Sequence, residues 1–247
     1  NIKHQYLFFS ILSIFIIFNG GNSNLLIQLN FILICSFYFY CLKDRNYNLH
    51  LENFYLKNKQ SIILYFIFLI YLFVQIIPLP LNILKFFSPE KYYFLNITNY
   101  NSYSSISFSP SNTFFQILNF VTLLLVLLIF KMIIYTERHK FRFYFFLSLS
   151  GFVVSIVAVL FYLNGNPDFF ILKNSYYKNA SSGFFINRTV LSIFLLFCLI
   201  SSLEILKNIE LLKKDKNKVF FLKTYIRLFI IFITIGIITS FSRIGNF

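Results

Sequence analysis

The chain is poor in charge. Asp, Glu, Lys and Arg together make up 12% of its 247 residues, about half of what a soluble domain carries. It has no Trp, one Met, 5 Pro and 7 Gly. Acids are scarcest: 8 Asp and Glu stand against 22 Lys and Arg, a formal net charge of +14. The three cysteines, Cys35, Cys41 and Cys198, fall in or at the ends of apolar runs. With no CxxC pair and no Cys/His cluster, neither a metal site nor a disulfide framework is indicated. No GxGxxG, P-loop, HExxH or GxSxG sequence occurs, so the familiar soluble-enzyme signatures are missing.

What is present is apolar. Hydrophobic residues reach 58% and aromatics 22%, with 37 Phe and 17 Tyr, and the mean hydropathy is +0.72. That composition excludes disorder, which needs low hydrophobicity. It also excludes a water-soluble core, because the polar shell is too small to cover one. The expected class is an all-α, polytopic transmembrane helix bundle, forming one transmembrane domain over residues 1–247.

A crossing needs about 20 mostly apolar residues. Seven runs qualify as expectations: 6–18 (short), 25–42, 61–79, 114–134, 143–163, 190–206 and 219–241. They are continuous rather than alternating, which favours helices over a barrel. Asn1 in place of Met, and a last run ending at Phe247, suggest a fragment.

The basic residues sort by side. Segments 43–60, 131–142 and 207–227 hold 4, 4 and 7 Lys and Arg, and Lys3 joins them. The alternate segments hold six: Lys85, Lys91, Lys173, Lys178, Arg188 and Arg243. The positive-inside rule then predicts a cytoplasmic N-terminus, and a periplasmic far side if the membrane is a bacterial inner membrane. This distribution explains the positive charge without nucleic acid, so no nucleic-acid partner is expected. Two outer connections, Pro80–Thr113 and Asn164–Thr189, are long, polar and rich in Ser, Asn and Tyr. Loops of such length are uncommon unless functional or disordered. The blander reading makes them solvated links.

Span interiors hold almost no ionisable group; Glu204 is the one acid within a run. Ion-coupled carriers place such groups at mid-membrane, and no inverted repeat is visible. A transporter or flippase of lipid-linked substrates is therefore the alternative, not the leading reading. A structural subunit would show GxxxG-like packing faces, and none stands out. His4, His50 and His139 all lie on the expected cytoplasmic side, as interfacial polar residues.

Two outer arginines carry more information. Arg188 follows Gly183-Phe184-Phe185-Ile186-Asn187 at the mouth of the sixth run, and Arg243 follows Ser240-Phe241-Ser242 at the end of the seventh. A short basic link joins those runs, so they are expected to be antiparallel neighbours with both arginines at one face. A guanidinium pair suits a diphosphate, because each keeps its charge and grips phosphate oxygens through a planar fork. The blander reading makes each Arg a helix-end anchor.

Four segments, in order, carry a resemblance. Gln75-Ile76-Ile77-Pro78-Leu79-Pro80 with Phe87-Ser88-Pro89 resembles the end of an early span in the O-antigen ligase and polymerase family. Ile106-Ser107-Phe108-Ser109-Pro110-Ser111-Asn112-Thr113 is similar to that family's S-x-x-P-x-x-T segment. Gly183 to Arg188 resembles its G-x-F-x-N-R-N motif, with Thr189 in place of the second Asn. Ser240-Phe241-Ser242-Arg243 with Gly245 resembles its S-x-S-R-G motif, with Ile244 inserted.

The resemblance implies a cofactor-free, metal-independent membrane glycosyltransferase of lipopolysaccharide assembly. Its donor would be a glycan on undecaprenyl diphosphate and its acceptor a hydroxyl of the lipid A core or another glycan, with membrane lipids around it. An O-antigen ligase is the first reading and a polymerase of the same family the alternative. Carried over, Arg188 and Arg243 are the catalytic residues, holding the diphosphate, and Asn187 and Ser242 bind substrate. The family's general base is a loop histidine beyond the motifs matched here, so the fragment alone is expected to be inactive.

Overall fold

The computed structural model describes residues 2–18, 23–98, 103–167, 179–209 and 216–246. Among them there are eleven helices and no strand: α1 Ile2–Ile17, α2 Asn24–Leu42, α3 Arg45–Lys57, α4 Lys59–Val74, α5 Leu81–Phe87, α6 Pro89–Ile97, α7 Pro110–Ile133, α8 Glu137–Leu163, α9 Arg188–Asn208, α10 Lys216–Thr239 and α11 Arg243–Asn246. The chain is a multi-pass helical membrane protein, as its composition requires. Each expected crossing falls on a helix. Five of these (α2, α7, α8, α9 and α10) are long and apolar enough to cross a bilayer.

The other two fall short for physical reasons. α1 has 16 residues, about 24 Å of helix, against a hydrocarbon core of about 30 Å. α4, also 16 residues, stops at Val74 rather than at Leu79. Pro78 and Pro80 lie just beyond, and a residue before proline is driven out of helical geometry. α3 occupies the segment expected to be a cytoplasmic link. Asp44 caps it by accepting from the Asn46 N–H at 3.0 Å, and no Pro or Gly interrupts it. α3 and α4 meet at a bend of 86°, either a broken span or a re-entrant segment.

The chain forms two compact units, residues 1–26 with 133–247, and residues 27–132. In the first, α8, α9 and α10 pack on one another, α1 lies along α8, and α11 lies on α9. Contacts fix the directions. Ser148 meets Ser202 while Gly151 meets Cys198, so α8 and α9 run antiparallel. Phe152 stacks on Phe229 and meets Phe232 edge-on, and Gly236 meets Ser155 further along both helices, so α8 and α10 run parallel.

Lipid solvates Leu as well as a protein interior does, so close packing and hydrogen bonds must hold such a bundle together. The buried face of α8 supplies both through small residues: Ser148, Gly151, Ser155 and Ala158. A Cβ on Gly236 would sit 2.8 Å from the Ser155 Cβ, closer than any real contact. The Ser148 and Ser202 hydroxyls bond at 2.7 Å across the α8–α9 interface. Leu195, Cys198, Ile205, Ile226 and Ile233 fill the centre and are fully buried, whereas Leu149, Val153, Phe197 and Ile231 face outward.

In the second unit, α4 and α7 meet through Tyr65, which stacks on Phe120 with ring centres 4.2 Å apart. The Tyr65 hydroxyl also donates to the Phe120 carbonyl.

Candidate functional site

Both motif arginines sit at one end of the three-helix bundle. Asn187 has extended backbone geometry and caps α9, its Oδ1 accepting from the Thr189 N–H at 2.8 Å. Such a cap satisfies an otherwise orphaned donor and fixes Arg188 as the first helical residue, where it is half-buried.

α10 ends on an unusual turn. Phe241 has φ +47, a left-handed conformation that a helix terminus usually gives to Gly or Asn and that costs a bulky residue about 1–3 kcal/mol. The turn sends Ser242 inward, where it is buried, and places exposed Arg243 at the start of α11. Ser240 Oγ steadies the turn, donating to the Ile237 carbonyl at 2.6 Å and accepting from the Ser242 N–H at 3.3 Å.

The two ends are joined by contact. Gly245 of α11 lies so close to Ser192 that any Cβ there would overlap the Ser192 hydroxyl. Ser192 is one turn after Arg188 on α9. The segment before α9 folds onto the same end: the Ser181 N–H donates to the Thr239 carbonyl at 2.9 Å, and the two side-chain hydroxyls lie 3.1 Å apart. Gly183, at φ +54, rests on Ala158, so close that a Cβ on the glycine would lie 3.0 Å from the Ala158 Cβ. A side chain here would be both strained and crowded.

Arg188, Arg243, Asn187 and Ser242 are thus carried by packed neighbouring segments. No acid occurs in residues 179–192 or 236–246. The hydroxyls of Ser192 and Ser242 are buried without a hydrogen-bond partner among the described residues, and unsatisfied buried polar groups are rare. The Oδ1 of Asn187 is engaged in the helix cap. Sequence reasoning missed Ser192, Ser181 and Thr239. Helical spacing offered one clue, since Ser192 follows Arg188 by four residues.

The described residues of the first expected outer loop, all but 99–102, form a built structure in the second unit. It holds α5 and α6, and Leu79 and Ser104 exchange backbone hydrogen bonds at 2.9 and 3.0 Å. Lys91 is buried. Its ammonium donates to the Ser105 carbonyl at 2.5 Å and to the Ser107 carbonyl, and lies 5.4 Å from the Phe108 ring centre. Burial pushes its pKa below the usual value. Ser107 and Thr113 of the S-x-x-P-x-x-T-like segment bond through their hydroxyls at 2.7 Å, fastening the start of α7. Of the second expected loop, residues 168–178, including Lys173, lie outside the described residues.

Among the described residues no group of His, Cys, Asp and Glu is arranged to hold a metal ion. Compared with protein-family models, with curated proteins and with solved structures, the chain matches none.

Proposed function

We propose that this protein transfers a glycan from undecaprenyl diphosphate to an acceptor hydroxyl at the periplasmic face of a bacterial inner membrane, as an O-antigen ligase of lipopolysaccharide assembly. The N-terminus then lies in the cytoplasm. The observation that supports this best is that the segments carrying Arg188 and Arg243 touch, through Ser192 and Gly245, on an end of the bundle whose local sequence contains no acid.

In the reaction the acceptor oxygen attacks the anomeric carbon. The bond from that carbon to the diphosphate oxygen breaks, its electron pair leaves on the diphosphate, and the acceptor proton passes to a base. Negative charge builds on the departing diphosphate. Two guanidinium groups fixed beside it stabilise that charge without having to reorganise. Their planar forks match phosphate oxygens in a way an ammonium does not. The same chemistry with a second lipid-linked glycan as acceptor would make the protein a polymerase.

The test is transfer in membrane vesicles from cells expressing the full-length protein. Arg188→Ala and Arg243→Ala should each abolish transfer, with Arg→Lys restoring only part; losing one such donor costs about 2.7–4 kcal/mol elsewhere. Transfer at wild-type rates by both alanine variants would refute the assignment.

A further inference from the structure

A long apolar groove of about 600 Å³ runs between α1 and α8, within the first unit. Its walls are Phe9 and Ile16 of α1 and Phe145, Phe146 and Val153 of α8, with Phe184 also lining it. From Phe141 to Val154 it follows α8 for about 20 Å, more than the roughly 15 Å that one leaflet contributes to the hydrocarbon core. Besides a few serines and Tyr6, the polar group on its wall is Arg142, near the start of α8.

Arg142 is held in place. Its guanidinium donates to Gln5 Oε1 at 3.1 Å. Because arginine only donates, that contact assigns the Gln5 oxygen and leaves Nε2 as the free end. Gln5 Nε2 is buried with no partner among the described residues. The exposed charge at this end is mostly basic. Lys3 on α1 and Arg138 on α8 are exposed at the same end, and the one nearby acid in α8, Glu137, is paired with Lys140 at 2.7 Å. This end is opposite the Arg188 and Arg243 end, because α8 and α9 run antiparallel.

We propose that this groove seats one anionic phospholipid, its acyl chain along the aromatic slot and its phosphate on Arg142. Two observations commit the occupant. An apolar slot longer than a leaflet is deep accepts a chain in the bilayer without cost, so the chain alone gives no selectivity. A guanidinium at its mouth, with Lys3 and Arg138 exposed on the same ends of α1 and α8, then selects the headgroup, as basic pockets between membrane helices do. The site is independent of the transfer chemistry proposed above and would stand if that failed.

The absence of Trp supplies the probe. Phe145→Trp places a single indole on the groove wall, and Phe197→Trp places one on the exposed face of α9, where Phe197 is 62% exposed. Each variant is reconstituted in phosphatidylcholine vesicles containing chain-brominated phosphatidylglycerol or chain-brominated phosphatidylcholine. For Phe145→Trp, half-maximal quenching should need a roughly tenfold lower mole fraction of the brominated anionic lipid, as a charge-assisted contact implies. Phe197→Trp should show no headgroup preference, and Arg142→Gln should abolish the preference at position 145. Should Arg142→Gln fail to fold, Ser13→Phe fills the slot from α1 with Arg142 intact and should also remove the preference. Equal quenching of Phe145→Trp by the two lipids would overturn the proposal in favour of bulk lipid. No quenching at all would overturn it in favour of a groove closed by protein.

Discussion

Lys91 offers the sharpest local test of the fold. Its side chain is 6% exposed and has no acid within ion-pair distance among the described residues. The ammonium instead satisfies the Ser105 and Ser107 carbonyls, closing residues 103–107 over α6. Lys91→Met keeps the length of the side chain and removes the donors. The buried Ser105 carbonyl is then orphaned, at about 1–3 kcal/mol, while the Ser107 carbonyl keeps the Ser105 hydroxyl, which donates to it at 2.8 Å. Relief of the ammonium's desolvation offsets part of this, leaving a net loss of about 1 kcal/mol. The assay is amide hydrogen exchange at Ser104 and Ser107, whose N–H groups donate to Leu79 and Gln75. Local opening weakened by that amount accelerates exchange by roughly 5-fold, and Lys91→Arg should recover much of the protection. A pH signature accompanies it. The folded value lies below the ordinary 10.5, so between the two the unfolded state binds more protons and stability rises with pH. The difference between wild type and Lys91→Met should therefore be flat below the folded value and widen above it. Wild-type exchange rates in Lys91→Met would refute the reasoning.

Further expectations concern packing and capping in the first unit. Gly236→Val drives side-chain atoms into Ser155 and Leu195 and should cost about 1–3 kcal/mol as overpacking, read as a lowered thermal midpoint in detergent. Asn187→Ala removes the α9 cap and should cost about 1 kcal/mol, with Asn187→Ser largely restoring it in the same melt.

The membrane class was legible in the sequence because every helix of the bundle had to be apolar throughout. The packing faces were not legible for the same reason. When both faces of α8 are hydrophobic, periodicity does not mark the inner one, and the signal moves to small residues. A search for GxxxG overlooks Ser148, Gly151, Ser155 and Ala158, because serine and alanine share the role with glycine and the spacing alternates between three and four. α3 was hidden by its polarity, which reads as a link until its Asp44 cap and unbroken chain are weighed. The arginine end was legible as two motifs, but not the means of joining them. The positive φ at Phe241 and the overlap of Gly245 with Ser192 are backbone facts that no residue type announces.

The central claim is that Arg188 and Arg243 act together on one diphosphate. Equilibrium binding of undecaprenyl diphosphate to the reconstituted protein tests this most directly, comparing wild type, Arg188→Ala, Arg243→Ala and the double variant, with undecaprenol as the uncharged control. Charge-assisted contacts of about 1.5–3 kcal/mol predict a roughly 10- to 100-fold loss for each single variant. The double variant should lose less than the two losses combined, and undecaprenol should bind all four proteins alike. Unchanged diphosphate affinity in both single variants, or undecaprenol bound as tightly as its diphosphate by wild type, would contradict the account.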